Sequence, residues 1–149
     1  MTDSFTRVGG AIERTFAPEE RQLLQDLCRG LLAILGADED PVLARLLPEA
    51  YPDDAEASAE WTGYTRSRLA RAKAEPAEAL LVDLGTSAGS VQLDPDRVAL
   101  WLRGLTDLRL ALAERITGAA REGRAEPVLE DVADWLGWLL SDLLEALEE

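Results

Sequence analysis

The sequence predicts a mainly α-helical protein, a bundle of about four to six helices with a small N-terminal β-hairpin. Three observations indicate this. Leucine and alanine dominate the 47% hydrophobic content while aromatic residues make up only 5%, a composition that favours helices. Apolar residues recur every three to four positions in several long segments, and proline or glycine separates those segments. At 149 residues we expect one domain, residues 1–149.

The hairpin is predicted over residues 5–16. Gly9 and Gly10 can adopt the positive φ angles of a tight turn, and residues of high strand propensity lie on both sides of them. Two strands alone are marginally stable, so the hairpin must pair or pack elsewhere. The alternating triplet Val91-Gln92-Leu93 is therefore a candidate third strand.

The first long helix is predicted over residues 18–35. Pro18 suits a first helical turn, and Glu19 and Glu20 lie where the helix dipole favours negative charge. Gly36 is suited to follow the last helical residue.

Two further helical segments are predicted before residue 90. A short helix spans residues 41–47, and Asp53 or Asp54 can cap the helix that follows. Because proline lacks an N–H group and clashes with the preceding turn, Pro76 should break or kink that helix. A short helical piece, residues 77–84, would then continue it.

The last two helices have clear start signals. Asp94 can cap a helix whose first residue is Pro95 and which runs to about Thr117. A polar loop over residues 118–125 leads to the last helix, which begins near Pro127. The apolar stripe of the first of these helices comprises Val98, Leu102, Leu105, Leu112 and Ile116.

Charge and residue usage exclude some functions and disfavour others. The net charge of −14 disfavours binding to nucleic acid or to anionic membranes and favours a basic partner. The chain has no histidine, which excludes Ser-His-Asp and Cys-His catalysis and removes the commonest zinc ligand. We predict no catalytic residues, no metal and no cofactor.

A cytoplasmic location is expected. The only cysteine, Cys28, cannot form an intramolecular disulfide, which suits a reducing compartment. Since leucines surround it in sequence, we interpret it as a packed apolar thiol and not a nucleophile. The first residues lack the apolar region of a signal peptide, and no stretch approaches the length of about 18 apolar residues that spans a bilayer.

Several segments resemble one protein family when they are considered in order. They are the opening hairpin, Arg45-Leu46-Leu47-Pro48 through Tyr51 and Asp54, Val91-Gln92-Leu93, Trp101-Leu102 with Leu105 to Leu112, and Asp134-Trp135-Leu136-Gly137-Trp138-Leu139. Together they resemble the actinobacterial DUF2017 family, a domain of unknown function, over nearly the whole chain. The sequence departs from the family pattern at Thr106, where asparagine is expected, and at Ala133, where an aromatic residue is expected.

The resemblance implies a helical fold and a cytoplasmic setting. It carries no established catalytic residues. Genes of relatives often lie near those for a Clp-protease adaptor and near a metallopeptidase linked to sulfur-carrier processing. The resemblance therefore also suggests a role in proteostasis or sulfur metabolism.

Arg109 is a candidate binding residue because helical periodicity places it inside an otherwise apolar stripe. Its guanidinium must either reach outward to solvent or find a carboxylate, for which Asp131 and Asp142 are candidates. We consider an internal ion pair and an anion-binding pocket. Arg103 and Asp107, four residues apart, are predicted to form a surface pair without function.

A second candidate surface lies on the helix before residue 76. Trp61, Tyr64 and Arg68 share a face, and further basic residues lie nearby. The combination of aromatic residues and arginine is typical of interaction hot spots. The alternative, which we favour, is that both aromatic residues lie in the core with Arg68 stacked on a ring.

The third candidate surface is the last helix. From Ala125 onward every charged residue is negative. Together with Trp135 and Trp138, this helix could dock on a basic protein surface; alternatively, the acids are a solvated face and the tryptophans lie at a core edge.

The leading functional hypothesis is a non-enzymatic regulatory or adaptor-like protein that acts through protein contacts with a basic partner. Exposed tryptophans on the last helix would also favour a homodimer. The alternatives are a small-anion-binding protein or enzyme centred on Arg109, and a transcriptional regulator that uses the basic segment.

Overall fold

A computed structural model describes the backbone of residues 4–36, 55–86 and 90–148, and their side chains except those of 55–69 and 86. In these ranges the chain forms three strands and four helices. The strands are β1 (Thr6–Val8), β2 (Ala11–Thr15) and β3 (Ser90–Leu93). The helices are α1 (Pro18–Leu35), α2 (Ala55–Thr86), α3 (Pro95–Arg121) and α4 (Pro127–Leu147). The predicted fold class is confirmed.

The sheet is antiparallel with β2 in the centre. Gly9 has a positive φ of 62°, which allows the tight turn between β1 and β2. The third strand is also confirmed, with Ile12 opposite Leu93. Because side chains alternate along a strand, Ile12, Arg14 and Phe16 all point to the buried side.

Side chains near the N-termini of α1 and α3 accept hydrogen bonds from backbone N–H groups that have no acceptor within the helix. Glu20 accepts a 3.0 Å hydrogen bond from the Ala17 backbone N–H at the start of α1. Asp94 accepts one of 2.8 Å from the N–H of Arg97 at the start of α3, as predicted from its position before proline.

Two predicted helix ends differ from the structure. Of the break or kink predicted at Pro76, the break does not occur, since Pro76 lies inside α2; Pro76 is buried, and packing of α2 against α1 and α3 compensates for the missing hydrogen bond. Helix α3 continues to Arg121 and ends in a Schellman motif, in which Gly123 has a φ of 75° and the Arg124 N–H donates to Ala119 O. The short helix predicted over residues 41–47 and the cap at Asp53 or Asp54 lie outside the described residues.

The core is formed by leucines from the helices and by an aromatic cluster under the sheet. Trp101 is fully buried and stacks on Phe16 with ring centroids 5.8 Å apart, while Phe5 meets both rings edge-on. Each helix packs on the next in the chain. In the described part of the chain, no helix has the length and apolar character needed to cross a membrane.

Candidate functional site

Helix α4 presents a continuous line of exposed residues on its outer side. Their positions alternate at intervals of three and four, which keeps them within an arc of about 100° and spreads them over about 26 Å. We call this line the acidic seam. It comprises Asp131, Asp134, Trp138, Ser141, Glu145 and Glu148, all exposed. Glu148 follows the last helical residue but keeps right-handed helical angles, φ −85° and ψ −8°.

Trp138 is at the centre of the seam and leaves 40% of its surface exposed. Its ring contacts the guanidinium of Arg14, whose Cζ lies 5.7 Å from the ring centroid. Trp135, one turn earlier, is half-buried and packs against the core. Of the two tryptophans, Trp138 is therefore the one available to a partner.

Arg14 is a buried cation that sequence reasoning did not find. It is 2% exposed, and its Cζ lies 4.2 Å from the centre of the Phe16 ring. Glu20 contacts its Nη2 at 3.5 Å, whereas Nε and Nη1 have no hydrogen-bond acceptor among the described residues. The alternation Ile12, Arg14, Phe16 in the predicted hairpin was the signal that could have revealed it.

Asp142 anchors the hairpin to α4. Its Oδ2 accepts a 2.7 Å hydrogen bond from the backbone N–H of Phe5, and Arg7 donates to Leu147 O at 3.1 Å nearby. Asp142 is half-buried. Its position thus fits a structural role, in contrast to the exposed acids of the seam.

Of the two alternatives considered for Arg109, a guanidinium that reaches outward or one paired with a carboxylate, the structure shows the first. The residue is exposed, and its guanidinium rests on α4 where Gly137 has no side chain: a Cβ built there would lie 3.2 Å from Arg109 Cζ. Within the described ranges, no ion pair joins Arg109 to Asp131 or Asp142. The long side chain reaches solvent along the groove between α3 and α4.

Asp107 is buried instead, contrary to the predicted surface pair with Arg103. It is 3% exposed, and its Oδ1 accepts a 3.0 Å hydrogen bond from Lys73 Nζ of α2. Its Oδ2 is buried and has no hydrogen-bond partner among the described residues. The spacing to Arg103 was correct for a helix, but this face of α3 packs against α2.

A polar network joins the end of α2 to the start of α3. Asp83 accepts two hydrogen bonds from Arg97, the shorter 2.7 Å, and one of 2.8 Å from Trp101 Nε1. The hydrogen bond to Asp83 is the largest cause of the raised pKa of Arg97. Because these groups satisfy one another, we assign them to the fold.

The lone thiol of Cys28 is buried, as expected. Burial raises its pKa to about 12, so it is protonated at neutral pH and is a poor nucleophile. Among the side chains that the structure describes, no three acidic or thiol groups converge as metal ligands.

The remaining candidates stay predictions. Trp61, Tyr64 and Arg68 lie on α2, but their side chains are outside the described part.

Comparison with protein-family models gives a match to residues 2–147, nearly the whole chain, and the model is described as a domain of unknown function (DUF2017). Neither a curated protein nor a solved structure matches the chain. The function has to be argued from the chemistry of the surface.

Proposed function

This chain belongs to the family described as domain of unknown function (DUF2017), and we propose that it is a non-enzymatic, regulatory or adaptor-like protein whose acidic seam docks on a basic protein partner. The observation that carries the proposal is the exposed line of carboxylates on α4 with half-exposed Trp138 at its centre. An exposed tryptophan is typical of the aromatic residues that anchor interaction hot spots.

The charge of α4 is uncompensated within the helix itself. Its sequence contains no lysine or arginine, and Glu145 and Glu148 lie at the end where the helix dipole disfavours negative charge. A basic partner would neutralise the negative charge of α4 and offset its unfavourable interaction with the helix dipole. Since single exposed ion pairs contribute only about 0.2–1 kcal/mol, the seam would mainly give fast association and selection of partner charge.

The same charges disfavour a homodimer through this face. A two-fold axis places the same patch of both copies in contact, so the seam acids of one copy would meet those of the other. Like charges placed together across an interface are costly. The proposal therefore commits to a partner of opposite charge.

The alternative functions are less well supported. An anion-binding pocket at Arg109 requires a cavity around a buried guanidinium, and Arg109 is exposed. DNA binding through the basic segment of α2 stays a prediction, and the net charge of −14 opposes it.

Binding of a fluorescently labelled decalysine peptide, followed by anisotropy at low salt, tests the proposal. Reversing two seam charges in Asp134→Lys/Glu145→Lys should weaken binding about tenfold or more, because attraction is replaced by repulsion. The matched control is Glu75→Lys/Glu78→Lys, which makes the same charge change at exposed positions of α2.

If the two double variants lose affinity equally, the peptide responds only to net charge and the seam is not the binding surface. A further variant, Trp138→Ser, separates the aromatic anchor from the charges. We expect it to weaken binding while the helical circular dichroism signal stays that of the wild type.

A further inference from the structure

We propose that the partner segment is itself an α-helix, with lysine or arginine in two pairs that match the seam acids and a small residue opposite Trp138. This inference rests on the proposed function and specifies the partner of the same surface. It follows from the spacing of the seam residues.

The seam acids form two pairs separated by an uncharged centre. Asp131 and Asp134 are one pair and Glu145 and Glu148 the other. The members of a pair are about 4.5 Å apart along the helix axis, and the pairs are separated by about 16.5 Å, at a rise of about 1.5 Å per residue. Only Trp138 and Ser141 of the seam lie between them.

A second helix reproduces these intervals without adjustment. Residues at alternating intervals of three and four average 3.5 per turn, which is the repeat that keeps two helices facing each other along a left-handed supercoil. Same-side residues of an extended strand are instead about 6.6–6.8 Å apart. The spacing of side chains along a strand therefore does not match the spacing of about 4.5 Å within each acidic pair.

The centre of the seam calls for a small residue on the partner. The inner side of the Trp138 ring meets Arg14, which is itself enclosed by Phe5 and Phe16. Arg14 therefore occupies the space on one side of the ring, and the exposed part of Trp138 projects from α4. Helices packed about 8–10 Å apart can accept such a ring only where the partner side chain is short.

The order acid, acid, tryptophan, serine, acid, acid is the same in charge from either end. Charge alone then allows the partner helix to run parallel or antiparallel to α4. We therefore specify the helical conformation of the partner and the spacing of its basic residues. Apolar contacts around Trp138 would determine whether the partner helix runs parallel or antiparallel to α4.

Two peptides of identical composition and about 18 residues, the length of the seam, test the inference against the full-length chain. In the matched peptide, four lysines are placed at the intervals of the seam acids and alanines face Trp138 and Ser141. In the shuffled peptide, the same lysines are distributed around the helix. Circular dichroism of the free peptides verifies equal helix propensity.

We expect the matched peptide to bind at least tenfold more tightly than the shuffled one and to gain helical signal when bound. The Asp134→Lys/Glu145→Lys chain should lose this preference, and the Glu75→Lys/Glu78→Lys chain should keep it.

Equal binding of both peptides, still abolished by the seam variant, would overturn the helix inference and leave the proposed function standing. Failure of matched, shuffled and decalysine peptides alike would overturn both. A chain that sediments as a dimer, and as a monomer after Asp134→Lys/Glu145→Lys, would identify a second copy as the occupant and also overturn both.

Discussion

Replacement of Gly104 by alanine is predicted to destabilise the protein although alanine is the better helix former. Gly104 lies in α3 on the side that packs against α2. A Cβ at this position would lie 2.8 Å from Leu80 Cδ1 and 3.5 Å from Pro76 O. Leu80 is fully buried and has little room to move.

The magnitude follows from two opposing effects. Alanine gains about 1 kcal/mol over glycine inside a helix, whereas overpacking a dense core costs about 1–3 kcal/mol. The net change expected for Gly104→Ala is a loss of about 1 kcal/mol of unfolding free energy. For a chain of this size, that lowers Tm by about 2–4 °C.

Two other glycines provide matched controls. At Gly118, in the same helix, a new Cβ has no neighbour within 4 Å among the described atoms, so Gly118→Ala should stabilise by about 1 kcal/mol. At Gly137 the three atoms nearest to a new Cβ all belong to the guanidinium of Arg109, an exposed side chain that can move aside. Gly137→Ala should therefore be neutral or stabilising.

Urea unfolding followed by circular dichroism measures all three variants. The expected order of stability is Gly118→Ala above wild type, and Gly104→Ala below it. A Gly104→Ala protein as stable as Gly118→Ala would refute the close approach of α2 and α3. A strongly destabilised Gly137→Ala protein would mean that Arg109 is held rigidly and does more than reach to solvent.

Three further predictions concern buried or unfavourably placed charges. Burial raises the pKa of Cys28 from 9.0 to about 12, so the thiol of the unfolded chain ionises at lower pH than that of the folded chain. The free energy of unfolding should therefore fall as the pH rises between these values, by up to about 1.4 kcal/mol per pH unit. Urea unfolding measured across this pH range should show a smaller fall in unfolding free energy for Cys28→Ala than for the wild type. Lys73→Met leaves the Asp107 carboxylate buried without its cation and should lower the free energy of unfolding by about 2 kcal/mol. The double variant Lys73→Met/Asp107→Leu removes both charges and should lose less. Equal losses in the two variants would contradict the cost assigned to the unpaired carboxylate. Glu145→Lys should raise Tm slightly, because the helix dipole favours a positive charge at the C-terminal end of α4. The same variant should bind decalysine more weakly. Thermal melts measure the first effect and fluorescence anisotropy the second.

Much of the fold was predictable because its signals are local. Helices α1, α3 and α4 each begin with a proline that follows the capping position. Of the two glycines predicted for the hairpin turn, Gly9 takes the positive φ that the turn requires. Each of these signals acts within a few residues, where backbone geometry and hydrogen bonding decide the structure. The third strand was predicted because two strands are marginally stable alone.

Sequence reasoning could not decide, or decided wrongly, where a contact between distant segments determines the outcome. Periodicity correctly placed Arg109 near the buried stripe of α3, but the lack of a side chain at Gly137 on another helix opens its route to solvent. Likewise, the helical spacing of Asp107 gives no sign that α2 supplies Lys73 opposite it. Both outcomes depend on which helix faces which.

The candidate surface was only partly predictable. The acidic character of α4 and the presence of two tryptophans follow from the sequence alone. Which tryptophan is exposed depends on the hairpin, since Asp142 binds Phe5 N–H and Arg14 meets the Trp138 ring. Those contacts join residues more than a hundred positions apart.

A chemical-shift titration of the ¹⁵N-labelled full-length protein with decalysine tests the central claim most directly. We expect the largest amide shifts along the seam from Asp131 to Glu148, together with a large shift of the Trp138 indole N–H, and we expect added salt to suppress both. Shifts concentrated on other helices, with the seam and Trp138 unchanged at saturation, would contradict it.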